Sequence, residues 1–137
     1  MSVLLDTSIV LAAADLADLN HARAAAWFRA TDEPLAVSAL TLGEVDRLLD
    51  RALGREAAEA FLAAIESGAI ALVVPTPADL VRARDLRRVA NEGGPSLSDA
   101  MTVALAERTG VMRIATLDRR PFAVMRAQAR TAIVLEP

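Results

Sequence analysis

The sequence predicts an α/β fold: a single domain with a central, mostly parallel sheet covered by helices on both faces. Three observations carry that expectation. Short apolar runs without polar alternation recur along the chain, as fully buried strands do. Stretches with helix punctuation separate them, which is the alternation a parallel sheet requires. At 137 residues, 54% of them hydrophobic, the chain can fill one core and is too short for two.

Taken in order, the apolar run at 2–6 reads as a strand and residues 7–16 as the helix after it. "NHARAAAWFRAT" (20–31) is a second helix with Asn20 as N-cap, and "PLAVS" (34–38) a short strand. "TLGEVDRLLDRAL" (41–53) is helical and stops at Gly54; "REAAEAFLAAIES" (55–67) is helical and stops at Gly68. "AIALVV" (69–74) is a strand. Pro77 opens a helix over 77–90, because proline suits a first helical position. "NEGGPS" (91–96) is a loop, and "LSDAMTVALAERT" (97–109) a helix capped by Gly110. "VMRIATLD" (111–118) reads as a strand ending in an acid, and "TAIVLE" (131–136) as the last strand.

Composition narrows the chemistry. There is no cysteine, so disulfides, thiolate metal sites and thiol nucleophiles are excluded. One histidine, His21, does not make a zinc cage, and a bound metal should be a hard ion held by oxygen. The net charge of −3 argues against a simple basic nucleic-acid module. Every basic residue is arginine, the better fork for phosphate, and with no tyrosine base stacking is a minor contributor. No apolar run is long enough to span a membrane and no leader is evident, so the expectation is a soluble, cytoplasmic protein.

Four acids stand out by position. Asp6 follows the first strand and Asp118 closes a later one, with Thr116 two residues before it. Glu44 and Asp99 lie early in the helices after the second strand and the glycine loop. Ligands in such folds sit beyond the carboxyl ends of the strands, beside the helix starts. Four carboxylates gathered there without a basic partner must either gain protons or hold a divalent cation. Mg²⁺ or Mn²⁺ is the natural occupant, able to activate a water against phosphorus.

Each acid also has a plainer reading. Ser96-x-x-Asp99 and Thr41-x-x-Glu44 fit capping boxes, Asp6 could cap the first helix, and Asp118 could be turn chemistry. What sets the four apart is that all occupy the same class of position. Asp46, Asp50, Asp15, Asp18, Asp79, Asp85, Glu56 and Glu59 read as surface charge. His21 reads as a helical residue without a catalytic role, and Trp27 and Phe28 as core or subunit contact. Arg82, Arg84, Arg87 and Arg88 span more than one helix face and read first as solvated. With Arg119 and Arg120 beside Asp118, they are the candidates for gripping a polyanion.

The quoted acids, in "LLDTS", "VSALTLGEV", "SLSDA" and "IATLDRRPF", resemble those of PIN-domain ribonucleases, specifically VapC-type toxins of toxin–antitoxin pairs. The resemblance covers essentially the whole chain, 1–137. It implies a three-layer α/β/α fold, Mg²⁺- or Mn²⁺-dependent hydrolysis of RNA (tRNA or ribosomal RNA), a homodimer, and neutralisation by a VapB-type antitoxin. By position, Asp6, Glu44, Asp99 and Asp118 would be the metal-binding catalytic acids. Thr7, Ser8 and Thr116 would hydrogen-bond those carboxylates or metal-bound water. The rival is a catalytically silent PIN-like module that binds RNA or protein. A response-regulator receiver would want an acidic doublet and a late lysine, and a haloacid-dehalogenase phosphatase would want D-x-D-x-T where this chain has D-T-S-I-V.

Overall fold

Strand β1 (Val3–Leu5) lies at the centre of a five-stranded, wholly parallel sheet in the computed structural model, which describes residues 2–88 and 94–137. After β1 come helices α1 (Thr7–Ala14) and α2 (His21–Ala30), strand β2 (Leu35–Ser38), helices α3 (Ala39–Leu53) and α4 (Arg55–Glu66), and strand β3 (Ile70–Val73). Helices α5 (Pro77–Arg87) and α6 (Leu97–Thr109), strand β4 (Arg113–Ala115), helix α7 (Arg119–Arg126) and strand β5 (Val134–Glu136) complete the chain. The sheet order is β3-β2-β1-β4-β5, with Leu4 registered against Ala36 on one side and Ile114 on the other. Successive connections thus run outward from β1 in one direction and then in the other. The reversal falls between β1 and β4, where an open α/β sheet leaves a crevice for ligands.

Side chains alternate across the sheet and divide the core in two. Leu4, Ala36, Ile114 and Leu135 point to the face covered by α5, α6 and α7, where Leu86, Met101, Leu105, Phe122 and Met125 fill the space. Val3, Leu5, Val37 and Ala115 point to the opposite face, against Ile9, Val45, Leu49, Ala58 and Phe61 of α1, α3 and α4. This is the three-layer α/β/α arrangement. Helix α6 is buried continuously from Ala100 to Ala106, since it is wedged among α5, α7 and the sheet. No helix among the described residues is long and apolar enough to cross a membrane.

Three elements differ from expectation. Helix α3 starts at Ala39 rather than residue 41, because the hydroxyl of Ser38 accepts the Leu40 N–H as the N-cap. Strand β4 stops at Ala115. Beyond Thr116, the Leu117 N–H donates to the Ser8 hydroxyl (2.9 Å) and the Asp118 N–H to the Thr116 hydroxyl (3.0 Å), so side chains replace a strand partner. Helix α7 was not expected at all. Its signals were Asp118 before it, Pro121 in its first turn, and Phe122 and Met125 three apart facing the core. The expected loop at 91–96 and the end of the helix expected over 77–90 fall partly on residues 89–93, outside the described residues.

Candidate active site

Asp6 stands directly after β1 at the reversal of strand order, and it is 5% exposed. Its backbone N–H donates to Ala115 O of β4 (3.0 Å), fixing the two strand ends side by side. One carboxylate oxygen, Oδ2, accepts from the Ser8 hydroxyl and from the fully buried Thr116 hydroxyl, both at 2.7 Å. Thr116 carries one proton, and the carboxylate is its shorter, charged acceptor; the alternative, Asp118 O, is at 3.1 Å. Since the Asp118 N–H donates to that same hydroxyl, Thr116 ties Asp6 to the segment that presents Asp118. Asp6 occupies the N-cap position of α1 yet makes no capping bond, so the capping reading does not account for it.

Asp118 likewise sits at the N-cap of α7 without a capping bond, and it is exposed. It is not the end of a strand, as the sequence suggested, but the last of three residues between β4 and α7. Asp118 and Asp99 line one cleft of about 310 Å³, together with Ser96, Arg120 and Pro121. Asp99 is in the first turn of α6 and does form the capping box, accepting the Ser96 N–H (3.0 Å). Capping is not its whole situation. Burial pushes its pKa up and the Ser96 hydrogen bonds oppose this, but the negative charges of Asp6 and Glu44 add to the rise, and the net shift is upward.

Glu44 lies on the second turn of α3, and no capping box forms with Thr41. The Thr41 hydroxyl is instead 3.2 Å from the Ser98 hydroxyl, which pins the start of α3 beside the start of α6. Glu44, one helical step beyond Thr41, is thereby carried toward Asp99. Thr41 was read only as a capping partner of Glu44 and Ser98 was not singled out; their signal is only that both fall in helix-start segments. The Thr7 hydroxyl is buried and has no hydrogen-bond partner among the described residues.

The arginines divide. The Arg119 guanidinium donates to Leu135 O of β5 (3.2 Å), so it is committed to the sheet, whereas Arg120 lines the cleft. Arg82 is not a solvated residue: it forks onto Glu107 (2.8 and 3.0 Å) and reaches Gln128 O (2.7 Å). Asp79, read as surface charge, is 4% exposed, and both its oxygens accept from Arg108 Nε at 2.9 Å. His21 Nδ1 is 2.9 Å from Ala12 O, which requires that nitrogen to donate and makes the ring a structural tie between α1 and α2.

The four acids therefore lie at one end of the sheet, linked through Asp99: to Asp6 and Glu44 by charge, to Asp118 by a shared cleft. Their oxygen-only chemistry fits a hard divalent cation, and the upward shift at Asp99 comes first from burial and then from the charges of Asp6 and Glu44, which a cation would offset. Among the described residues no three of them are drawn closely enough around one point to form a ready-made cage. Mg²⁺ does not require one, because it is commonly held by one or two carboxylates and keeps several waters.

Residues 3–127 match the model of the PIN domain family. The chain is 31% identical over 124 residues to Ribonuclease VapC26 of Mycobacterium tuberculosis, covering 90% of this chain and 92% of that protein. The crystal structure of Mycobacterium tuberculosis VapC20, described as a sarcin-ricin loop cleaving toxin, superposes with a TM-score of 0.80 at 24% identity, covering 88% of this chain and 93% of that one. FitAcB from Neisseria gonorrhoeae superposes with a TM-score of 0.66 at 19% identity over all of this chain and 97% of its own. At these identities the two crystal structures speak to the fold.

Proposed function

The chain belongs to the PIN-domain family, and on that premise we propose that it is a metal-dependent ribonuclease toxin that hydrolyses RNA phosphodiester bonds. Its partners would be a second copy of itself and a VapB-type antitoxin, and its location cytoplasmic. The observation that carries the reading is Asp99: half-buried, raised in pKa, and facing the charges of Asp6 and Glu44 rather than an arginine. A protein that needed these acids only for folding would have paired them, as it pairs Asp79 and Glu107. The name of its 31%-identical relative supports ribonuclease chemistry, and that of VapC20 supports a toxin.

Asp6, Glu44, Asp99 and Asp118 would hold Mg²⁺ or Mn²⁺. When bound, the ion supplies an activated water and offsets charge at the phosphorus. The remaining work belongs to the chain. Ser8 and Thr116 hold one oxygen of Asp6 and so fix which way its other oxygen points. The box with Ser96 does the same for Asp99. Asp118, exposed at the cleft mouth, meets the substrate side, and Arg120 beside it offers a cationic contact to a phosphate. Ser98 and Thr41 keep the two helix starts in register, preserving the spacing of Glu44 and Asp99.

The test is cleavage of tRNA and ribosomal RNA by purified protein, with added Mg²⁺ or Mn²⁺ and with chelator. Cleavage that needs the ion and stops in excess EDTA is expected. Persistent cleavage in EDTA, with contaminating nuclease excluded by a parallel Asp6→Asn preparation, would refute the reading. The separation of the acids as placed favours one alternative, a silent RNA- or protein-binding module. RNA binding without cleavage at any divalent-ion concentration would select it.

A further inference from the structure

We propose that Arg84, Arg87 and Arg88 on α5 form a second contact surface for RNA, one that grips the phosphate backbone of a folded substrate outside the cleft where the strand is cut. The inference rests on the ribonuclease reading and extends it to substrate class.

Helix α5 sorts its arginines by face. Asp79, Ala83 and Leu86 are its buried residues, and Arg82 turns toward α6 to pair with Glu107. Arg84, Arg87 and Arg88, spaced i, i+3 and i+4, share the solvent side and are all exposed. Among the described residues they line a surface depression of about 290 Å³. Arg88 pairs with Asp85 on the surface, while Arg84 and Arg87 make no ion pair among the described residues. Counting Asp85 against it, the described part of this face carries an excess of two positive charges on a chain whose net charge is −3. Two of these guanidiniums meet no acid among the described residues and can each take a phosphate.

The position of this face identifies the anion. The pairs Asp79–Arg108 and Arg82–Glu107 fix α5 antiparallel to α6, so the start of α5 lies beside the end of α6. The end of α5, with Arg84, Arg87 and Arg88, then lies at the start of α6, which carries Ser96 and Asp99. Five residues separate Arg88 from Gly94 on the cleft wall, six Cα steps that span at most about 20 Å when fully extended. A single strand threading the cleft need not reach the arginine face. A folded RNA, with phosphates returning from a second strand, can meet both.

The experiment compares a structured RNA (bulk tRNA) with a short unstructured oligoribonucleotide as substrates, across a salt series. In Arg84→Gln/Arg87→Gln/Arg88→Gln, KM for tRNA is expected to rise at least fivefold, with kcat and oligonucleotide cleavage within twofold of wild type. The salt slope of log KM for tRNA should fall by about two, as loss of two to three phosphate contacts requires. A control removing the same charge elsewhere, Arg23→Gln/Arg29→Gln/Arg47→Gln on the exposed faces of α2 and α3, should leave the tRNA KM within twofold. Equal effects in both triple variants, equal effects on both substrates, or no effect on tRNA would overturn the proposal. Unchanged RNA kinetics with weakened binding of an acidic protein partner would assign the face to that partner and overturn it as well. If the wild-type protein cleaves no RNA with Mg²⁺ or Mn²⁺, the ribonuclease reading fails first, a result distinguishable from failure of the arginine face alone.

Discussion

The two ends of the α5–α6 hairpin use the same kinds of residue to opposite effect. At the end of α6, Asp79 is buried and the Glu107 side chain nearly so, and each is met by an arginine: Arg108 Nε on both oxygens of Asp79, the Arg82 fork on Glu107. Burial would raise both pKa values, yet the hydrogen bonds and charges of Arg82 and Arg108 hold them below the ordinary 4.5 and 3.8. At the start of α6, Asp99 has burial without an arginine, and two further carboxylates press its pKa upward. The same fold can therefore compensate a buried acid when the acid serves packing. At Asp99 no such compensation is made among the described residues, and the proposed cation site rests on that contrast.

The largest way to break this comparison is to remove a charge at the uncompensated end. Loss of an outer hydrogen-bonding partner alone typically costs about 10–100-fold. Asp6→Asn and Asp99→Asn remove the charges themselves and are expected to lower RNA cleavage by more than about 100-fold, with unchanged circular dichroism. Wild-type rates in both would show that the uncompensated end is not a catalytic site. Thr116→Val, which deletes a buried donor to Asp6, should fall within the 10–100-fold range, and a rate within twofold of wild type would remove its positioning role.

At the compensated end the expected effect is on stability. Asp79→Ala leaves the Arg108 guanidinium and the Thr76 N–H without their acceptor. Breaking a buried pair costs about 3–5 kcal/mol. Arg108 is 42% exposed and can rehydrate, which brings the expectation to about 2 kcal/mol and a Tm lower by about 5–10 °C. Per-enzyme activity below the new Tm should stay within twofold. The pH dependence has a definite sign. Acids whose folded pKa is depressed contribute stability that is present above the unfolded value and lost as pH falls through the folded one. Wild-type stability should therefore drop on acidification below about pH 4, and in Asp79→Asn that drop should be shallower. Identical acid profiles would deny the ion pair its role.

How much of this was legible in the sequence follows the same division. Helix α6 could be read to the residue, because Ser96, Asp99 and Gly110 are local signals for its two ends. The four acids were legible as positions, since strand ends and helix starts are also local. The compensated end was not. Asp79 finds Arg108 at a separation of 29 residues and Arg82 finds Glu107 at 25, and nothing in either neighbourhood announces the partner. Asp79 therefore looked like surface charge, and Arg82 like its exposed neighbours. Helix α7 was missed for a different reason. "IATLD" continues the apolar pattern of β4 past its end, and what stops the strand is a pair of hydroxyls, one from Ser8 far earlier in the chain.

The finest test asks whether the uncompensated end costs stability when no cation is present. A carboxylate with a raised folded pKa is a stability cost above that pKa, relieved as pH falls toward its ordinary value of 3.8. Asp99→Asn removes the charge but keeps a carbonyl oxygen to accept the Ser96 N–H, so the helix cap survives. In EDTA at neutral pH this variant should match or exceed wild type in denaturant midpoint. Mg²⁺ should then raise the Tm of wild type and leave the variant nearly unmoved, because only a state that binds the ion gains from it. Asp79→Asn should show the reverse: destabilised in EDTA, with the wild-type response to Mg²⁺ intact. If Asp99→Asn is destabilised like Asp79→Asn, the start of α6 is a packed structural cap, and its acid is compensated by something other than a cation.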